Sequence, residues 1–316
     1  MSYGLQNNTG PSLILVKTAL DKLRDDQLQQ ENTVGKATAL DAVVFTQDSA
    51  DKAAVVTSVI GGGGYFAKNT DDVTAKKNIT KKAATARTTV IAEFNEDLPI
   101  SRTFMADQQQ TAVARSVRQA TQGWTASRDR NAFAVYANGF ATTYANSVTI
   151  DGVALFSNSH VNQNGDTVDN LETGVLTNDN LNVVVNSLRQ QVNNTGVKIG
   201  YEPKFLLTPS LLHQAGMQIG KSVLRAGTGN NDLNYWSEMY PGMKVVYNPF
   251  LDDTSTTAYF VGTSGHDVLR FEREAFFTDL VDWRYDLQDM YRYKMRAREE
   301  VDAINYTGLV GSNGTV

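Results

Sequence analysis

The chain contains no cysteine, so disulfides and thiolate metal sites are both excluded. That absence suits a reducing cytoplasm. No uninterrupted apolar stretch approaches the roughly 20 residues needed to span a bilayer, and no membrane contact is expected. Met1-Ser2-Tyr3-Gly4 shows no basic region leading into an apolar one, so no secretory signal is expected either. Positive charge is short as well. With 29 Lys and Arg against 34 Asp and Glu, the net charge is −5. A protein built mainly to grip nucleic acid needs a basic surface for the phosphates. DNA binding is thereby disfavoured as the main task, while incidental contact with DNA stays open. Histidine is scarce, with three in 316 residues.

What remains is an ordinary globular composition, 41% hydrophobic and 20% charged, long enough for one large domain or two medium ones. The first 50 residues are polar and mixed. Leu13, Val16, Leu20 and Leu23 recur at helical spacing and predict a helix over 13–28. Gln27 to Lys36 reads as a draped arm, too weakly hydrophobic to bury itself in its own subunit. Two strand-like runs follow, 54–60 and 88–94. Between them lie Gly61 to Gly64, then Tyr65-Phe66, then a polar stretch in which Lys68, Lys76, Lys77, Lys81 and Lys82 outnumber Asp71 and Asp72. Two strands joined by about two dozen polar residues form a long arm or hairpin, and loops of that length usually carry function.

From Ala106 to Tyr144 the pattern is helical. Val113, Val117, Ala120 and Trp124 make one apolar stripe and Phe133, Tyr136, Ala137 and Phe140 a second, out of phase, with Gly123 near the change. That predicts a kinked helix or two in series. Leu181, Val184, Val185, Leu188 and Val192 form an amphipathic helix, with Asn178 or Asp179 as its cap and Gly196 at its end. Residues 203–209 read as a short buried strand leading into a helix through Leu211, Leu212 and Ala215. Further strands are expected at 243–247, 258–261 and 268–271. From Trp283 to Arg298 aromatic and aliphatic residues alternate with charged ones. This is the pattern of a half-buried strand reaching roughly 50 Å at about 3.3 Å per residue.

No constellation of catalytic residues emerges. His160 lies near Ser157, Ser159 and Asp166, yet no G-x-S-x-G elbow is present, and hydrogen bonding in a turn suits it better. His213 falls in an apolar helix and His266 in a turn between strands. No two histidines have metal-helix spacing, and the acid pairs Asp25-Asp26, Asp71-Asp72 and Asp252-Asp253 match no calcium loop. The glycine run lacks a Walker lysine. No catalytic residue, metal or cofactor is therefore expected. Arg292, Lys294, Arg296 and Arg298 read as an exposed strand face paired with acids of a neighbouring strand or subunit.

Several segments in order resemble the major capsid proteins of tailed bacteriophages. They are 98–107 (LPISRTFMAD), 124–133 (WTASRDRNAF), 151–162 (DGVALFSNSHVN), 200–209 (GYEPKFLLTP) and the Tyr- and Arg-rich strand ending in 305–312 (NYTGLVGS). The 151–162 stretch is similar to one branch of that family, the Mu-like head subunits. The match covers roughly residues 50 to 316. It implies an α+β, Hong Kong 97-type fold, with an N-terminal arm at 1–52 and an extended two-stranded loop at 53–97. A peripheral domain spine helix would occupy 98–149, an axial domain 150–255, and a return to the peripheral sheet 256–316. It implies a structural subunit that joins copies of itself as hexamers and pentamers into an icosahedral or elongated shell around double-stranded DNA. Assembly would take place in the host bacterial cytoplasm, with portal, scaffolding and decoration proteins as partners. Tyr65, Phe66, Lys68, Lys76, Lys77, Lys81, Lys82, Arg87, Arg292, Lys294, Arg296 and Arg298 are then the candidates for contact between subunits. An encapsulin-like nanocompartment shell and a Ser/His hydrolase using Ser157 or Ser159 with His160 are the alternatives.

Overall fold

The computed structural model describes residues 13–30, 35–59, 85–103, 110–223, 233–286, 288 and 290–315. They divide into two units, the described parts of Met1–Val34, Ala92–Arg128 and Arg273–Glu299, and those of Gly35–Ile91, Asp129–Glu272 and Glu300–Val316.

The first unit contains α1 (Leu13–Gln30), β4 (Ala92–Ser101), the start of α2 (Gln110–Ala137) and parts of β11 (Val268–Val281) and β12 (Met290–Ala303). β12 lies between β11 and β4, antiparallel to β4 from Met290↔Ser101 to Glu299↔Ala92. The alternation expected of the last strand is present here, with Tyr293, Met295 and Ala297 buried and Lys294 exposed. The strand starts later than expected, however. Trp283–Tyr285 is a 3-10 turn in which the Tyr285 N–H donates to the Asp282 carbonyl (2.9 Å) and the Arg284 N–H to its carboxylate (3.2 Å). The Asp282 side chain turns the chain where spacing alone read an extended run.

α1 is the helix expected over 13–28, two residues longer, and it packs within the first unit. Leu20 and Leu23 pack with Ile100, Val113, Val117, Leu280, Tyr293 and Met295. Its anchor is polar: Asp21 accepts from Thr278 Oγ1 and Tyr293 Oη, each at 2.7 Å. Burial pushes the Asp21 carboxyl up, but the bonds from Lys17, Thr278 and Tyr293 outweigh it and hold the group low.

The second unit is organised on a five-stranded sheet, β7-β13-β10-β8-β9, of Leu171–Glu172, Leu309–Ser312, Tyr259–Gly262, Phe205–Thr208 and Lys244–Tyr247. The outer pairings are parallel and the inner ones antiparallel. Successive side chains point to opposite faces. Phe205, Leu207, Val246, Phe260 and Leu309 therefore face one core, with Phe133 and Tyr136 of α2. Leu206, Val245, Tyr259, Val261 and Val310 face another, with Leu181, Val184, Val185 and Leu188 of α3 (Asn178–Gln190) and Ile219 of α4 (His213–Lys221). Burial on both faces is why these strands read as short continuous apolar runs. Two close approaches are fixed by glycine: a Cβ on Gly262 would lie 2.5 Å from the Phe205 ring, and one on Gly311 2.7 Å from Phe156.

α2 is one continuous helix without a break at Gly123. The change of stripe has another cause, because Val113 and Val117 serve the core of the first unit while Phe133 and Tyr136 serve that of the second. α3 is capped one residue earlier than expected, by Thr177, whose hydroxyl accepts from the Asn180 N–H (3.2 Å). It ends at Gln190, and Gly196 (φ +76°) belongs to a later turn. Residues 35–50 are held within the second unit. The Ala37 N–H donates to the Tyr247 carbonyl (2.8 Å), the Ala39 N–H to buried Asp129 (2.8 Å), and Ala37, Ala39, Val44 and Phe45 are fully buried.

Candidate assembly surfaces

β2 (Ala54–Val59) and β3 (Thr85–Val90) pair antiparallel from Ala54↔Val90 to Val59↔Thr85, as the two strand-like runs predict, though the second begins three residues earlier. A two-stranded ribbon is marginal alone in water and needs support. Support comes along one face. Val55, Val59 and Ile91 pack on Ala50, Phe271 and Ile304, and the Ile91 N–H donates to the Ala53 carbonyl (2.9 Å).

Arg87 adds a polar clamp. Its guanidinium meets both oxygens of Asp302 (2.6 and 2.7 Å) and donates to the carbonyls of Ala145 and Val148, while Thr89 Oγ1 donates to the same carboxylate at 2.5 Å. Asp302 is 1% exposed. Burial raises its carboxyl above the ordinary range, and the bonds from Arg87 and Thr89 only partly offset this. Arg87 thus fixes the ribbon within its own subunit. The outer side of the ribbon is different, with Val56 65% and Val90 70% exposed. Tyr65, Phe66, Lys68, Lys76, Lys77, Lys81 and Lys82 lie outside the described residues.

The basic face of β12 is answered within the first unit. Arg296 pairs with Glu93 (3.5 Å) and Glu274 (3.3 Å), Arg298 with Glu93 (3.9 Å) and Arg292 with Asp286 (3.0 Å). Lys294 stands opposite Asp97 in the β12–β4 register and is exposed. The pairs to Glu93 and Glu274 are cross-strand ion pairs, modest in energy at exposed sites.

The histidines are structural in their surroundings. His160 is fully buried, with Nδ1 2.8 Å from Asp151, Nε2 3.2 Å from the Leu155 carbonyl and its ring stacked on Tyr306. Its acid is Asp151, not Asp166. Burial works against ionisation of Asp151, yet the bonds from His160 and Thr149 hold its carboxyl low. Ser157 and Ser159 bond to each other (2.9 Å) at an exposed position, and among the described residues neither serine is placed on the His160 ring. His266 accepts from the Val268 N–H at Nδ1 (3.2 Å) and donates from Nε2 to the Val43 carbonyl (3.0 Å). Burial lowers its pKa to about 4, with the Val43 bond a smaller opposing effect. Burial also lowers that of His213, which rests against Tyr247. Among the described residues no group of three or more His, Asp or Glu is gathered as a metal would require.

A buried amide network escaped sequence reasoning. Asn170 Nδ2 donates to the Leu155 carbonyl (2.8 Å) and its Oδ1 accepts from the Ser157 N–H (2.8 Å). The Gly308 N–H donates to Gln191 Oε1 (2.7 Å), and Gln191 Nε2 donates to the Leu309 carbonyl (3.3 Å). These amides satisfy backbone groups around β13 that would otherwise be buried without partners. Single Asn and Gln residues in polar segments carry no periodic signal.

A family model described as phage capsid protein matches residues 85–312, well over half of the chain. The chain belongs to the phage capsid protein family. The match begins at β3 and ends with β13, so it takes in the whole five-stranded sheet. Solved structures agree on the capsid fold. A chain from Microbacterium phage Oxtober96 is 14% identical, with a TM-score of 0.52 over 92% of this chain and 98% of that one. A virus-like particle protein from Pyrococcus furiosus is 8% identical, with a TM-score of 0.53 over 93% and 98%. The capsid of a native GTA particle is 11% identical, with a TM-score of 0.53 over 90% and 93%. No curated protein matches the chain. The architecture is the Hong Kong 97-type capsid fold expected from the sequence. Family and fold point to a structural protein, a capsid component of a virion. Among the described residues no helix is long and apolar enough to cross a membrane.

Proposed function

We propose that the chain is the major head subunit of a tailed phage, closing as hexamers and pentamers into an icosahedral or elongated shell around double-stranded DNA. Portal, scaffolding and decoration proteins are its partners in the host cytoplasm. The extended loop at 53–97 makes the contacts between neighbours. The observation that carries this reading is the ribbon, rigid at its root through Arg87 and Asp302 and exposing Val56 and Val90 on its outer side. Valines on a two-stranded ribbon are stabilised when another surface covers them. The assignment to Mu-like heads rests on the 151–162 stretch.

Deletion of Gly61 to Ala84 tests it. The variant is expected to give a folded subunit that fails to form closed particles under electron microscopy. Normal shells from it would refute the role of the loop. The likeness to the Pyrococcus furiosus particle supports a second reading, a nanocompartment shell. Particles purified with DNA and a portal favour the phage head, and particles filled with one enzyme favour the compartment.

A further inference from the structure

In the second unit, Gly35 to Ala37 run as a short strap along β9, the last strand of the five-stranded sheet. The Tyr247 N–H donates to the Gly35 carbonyl (2.9 Å) and the Ala37 N–H to the Tyr247 carbonyl (2.8 Å). A strap of this kind covers backbone groups that a sheet edge would otherwise expose. Beyond Ala37 the chain is tied down further, by Asn248 Nδ2 on the Ala37 carbonyl (3.0 Å) and by the Ala39 N–H on Asp129 (2.8 Å). The start of the strap depends on a side chain instead.

That side chain is His213, the first residue of α4. A Cβ on Gly35 would stand 3.0 Å from its Nε2, and Gly35 has a φ of +83°, so glycine suits both the approach and the turn. The ring also meets that of Tyr247, with centroids 4.6 Å apart. His213 thus touches both members of the pairing between strap and edge. The residue is half-buried, and its Nδ1 is shut off from solvent with no hydrogen-bond partner. In one neutral tautomer that atom is a bare acceptor. After protonation it is a charged donor with nothing to bond, which is the costlier state to keep buried.

No neighbouring charge answers the ring. Lys36 on the strap is held by Asp129 (3.6 Å) and Lys244 on β9 by Asp41. On its own helix Lys221 donates to the Pro241 carbonyl (3.2 Å), and Asp252 accepts from the Ser210 N–H (3.0 Å). Glu238, on the packed helix α5 (Tyr235–Met239), is exposed. Burial is the one influence on the His213 pKa, and it lowers it.

We propose that His213 is an acid-sensitive latch, which holds Gly35 to Ala37 on β9 while neutral and lets them lift when it takes a proton. The latched ring has the lowered pKa and the lifted ring the ordinary 6.5, so the lifted state gains the proton. The latch is complete above pH 6.5 and weakens as pH falls towards the lowered value. Each pH unit in that window favours lifting by up to about tenfold. This device is independent of the reading as a shell subunit and operates within one chain.

Hydrogen exchange of the full chain tests it, read at the Tyr247 and Ala37 amides between about pH 7.5 and 5.5 and corrected for the intrinsic pH dependence of exchange. Protection of both is expected to fall about tenfold on acidification. In His213→Gln and His213→Phe that fall should vanish, while Val261 in the central strand β10 keeps the same pH dependence in all three chains. Phenylalanine keeps a ring against Gly35 without a titrating nitrogen, so loss of packing is told apart from loss of the proton. No fall in the wild type, or an equal fall in either variant, overturns the proposal.

Discussion

The five-stranded sheet and the two-stranded ribbon lie in one unit and use similar residues, yet they end in opposite environments. β9 carries Val245 and Val246, both at least 95% buried; β2 carries Val55 and Val56, and Val56 is 65% exposed. Strand propensity is alike in both. The difference lies in the neighbours, because the sheet has a core on each face and the ribbon is covered on one face only. Propensity therefore makes the strand, and what packs against it decides whether the strand is finished within its own chain.

If that contrast is right, the largest stability loss belongs to the sheet. Phe260→Ala removes a ring packed among Tyr136, Phe140 and Phe156 and should cost about 3–5 kcal/mol in denaturant unfolding. A loss below about 1 kcal/mol would mean that the sheet is no better packed than the ribbon. Next comes the ribbon's root. Arg87→Ala leaves Asp302 buried without its cation, which should cost about 3 kcal/mol. Asp302→Asn in the same chain should recover part of it, since the uncompensated charge is then gone.

His266 gives an effect of similar size through pH. Its ring is neutral in the folded chain, with a pKa of about 4 against 6.5 unfolded. The unfolded chain therefore binds the extra proton. Stability is complete above pH 6.5 and is lost progressively as pH falls towards 4, by about 3 kcal/mol. His266→Gln should flatten that slope; an unchanged slope would assign the acid sensitivity elsewhere. The smallest effect on the subunit is predicted for Val56→Ser/Val90→Ser, within about 0.5 kcal/mol as for other exposed positions.

Much of this division could be read in the residues. The buried strands showed as apolar runs, α3 as a clean amphipathic stripe and the ribbon as two β-rich runs around a polar insert. Ala37, Ala39, Val44 and Phe45 gave no warning of burial, because they follow no period and sit among polar residues. The turn at 283–285 was hidden by an alternation that a strand and an aspartate-led turn share. The two stripes of α2 were seen, but two cores served by one helix look the same in sequence as a kink. Polar partners were the least legible. Arg87 meets Asp302 across 215 positions, and Glu93 meets Arg296 and Arg298 only through the β4–β12 register. Tertiary pairing, not local spacing, sets such contacts.

The most direct test of the ribbon as the unfinished part of the subunit is light scattering of the wild type beside Val56→Ser/Val90→Ser, over a range of concentration and salt. Large closed particles are expected from the wild type, and folded single subunits or small oligomers from the variant. Particles of equal size and yield from both, or a wild type that stays a single chain throughout, would contradict it.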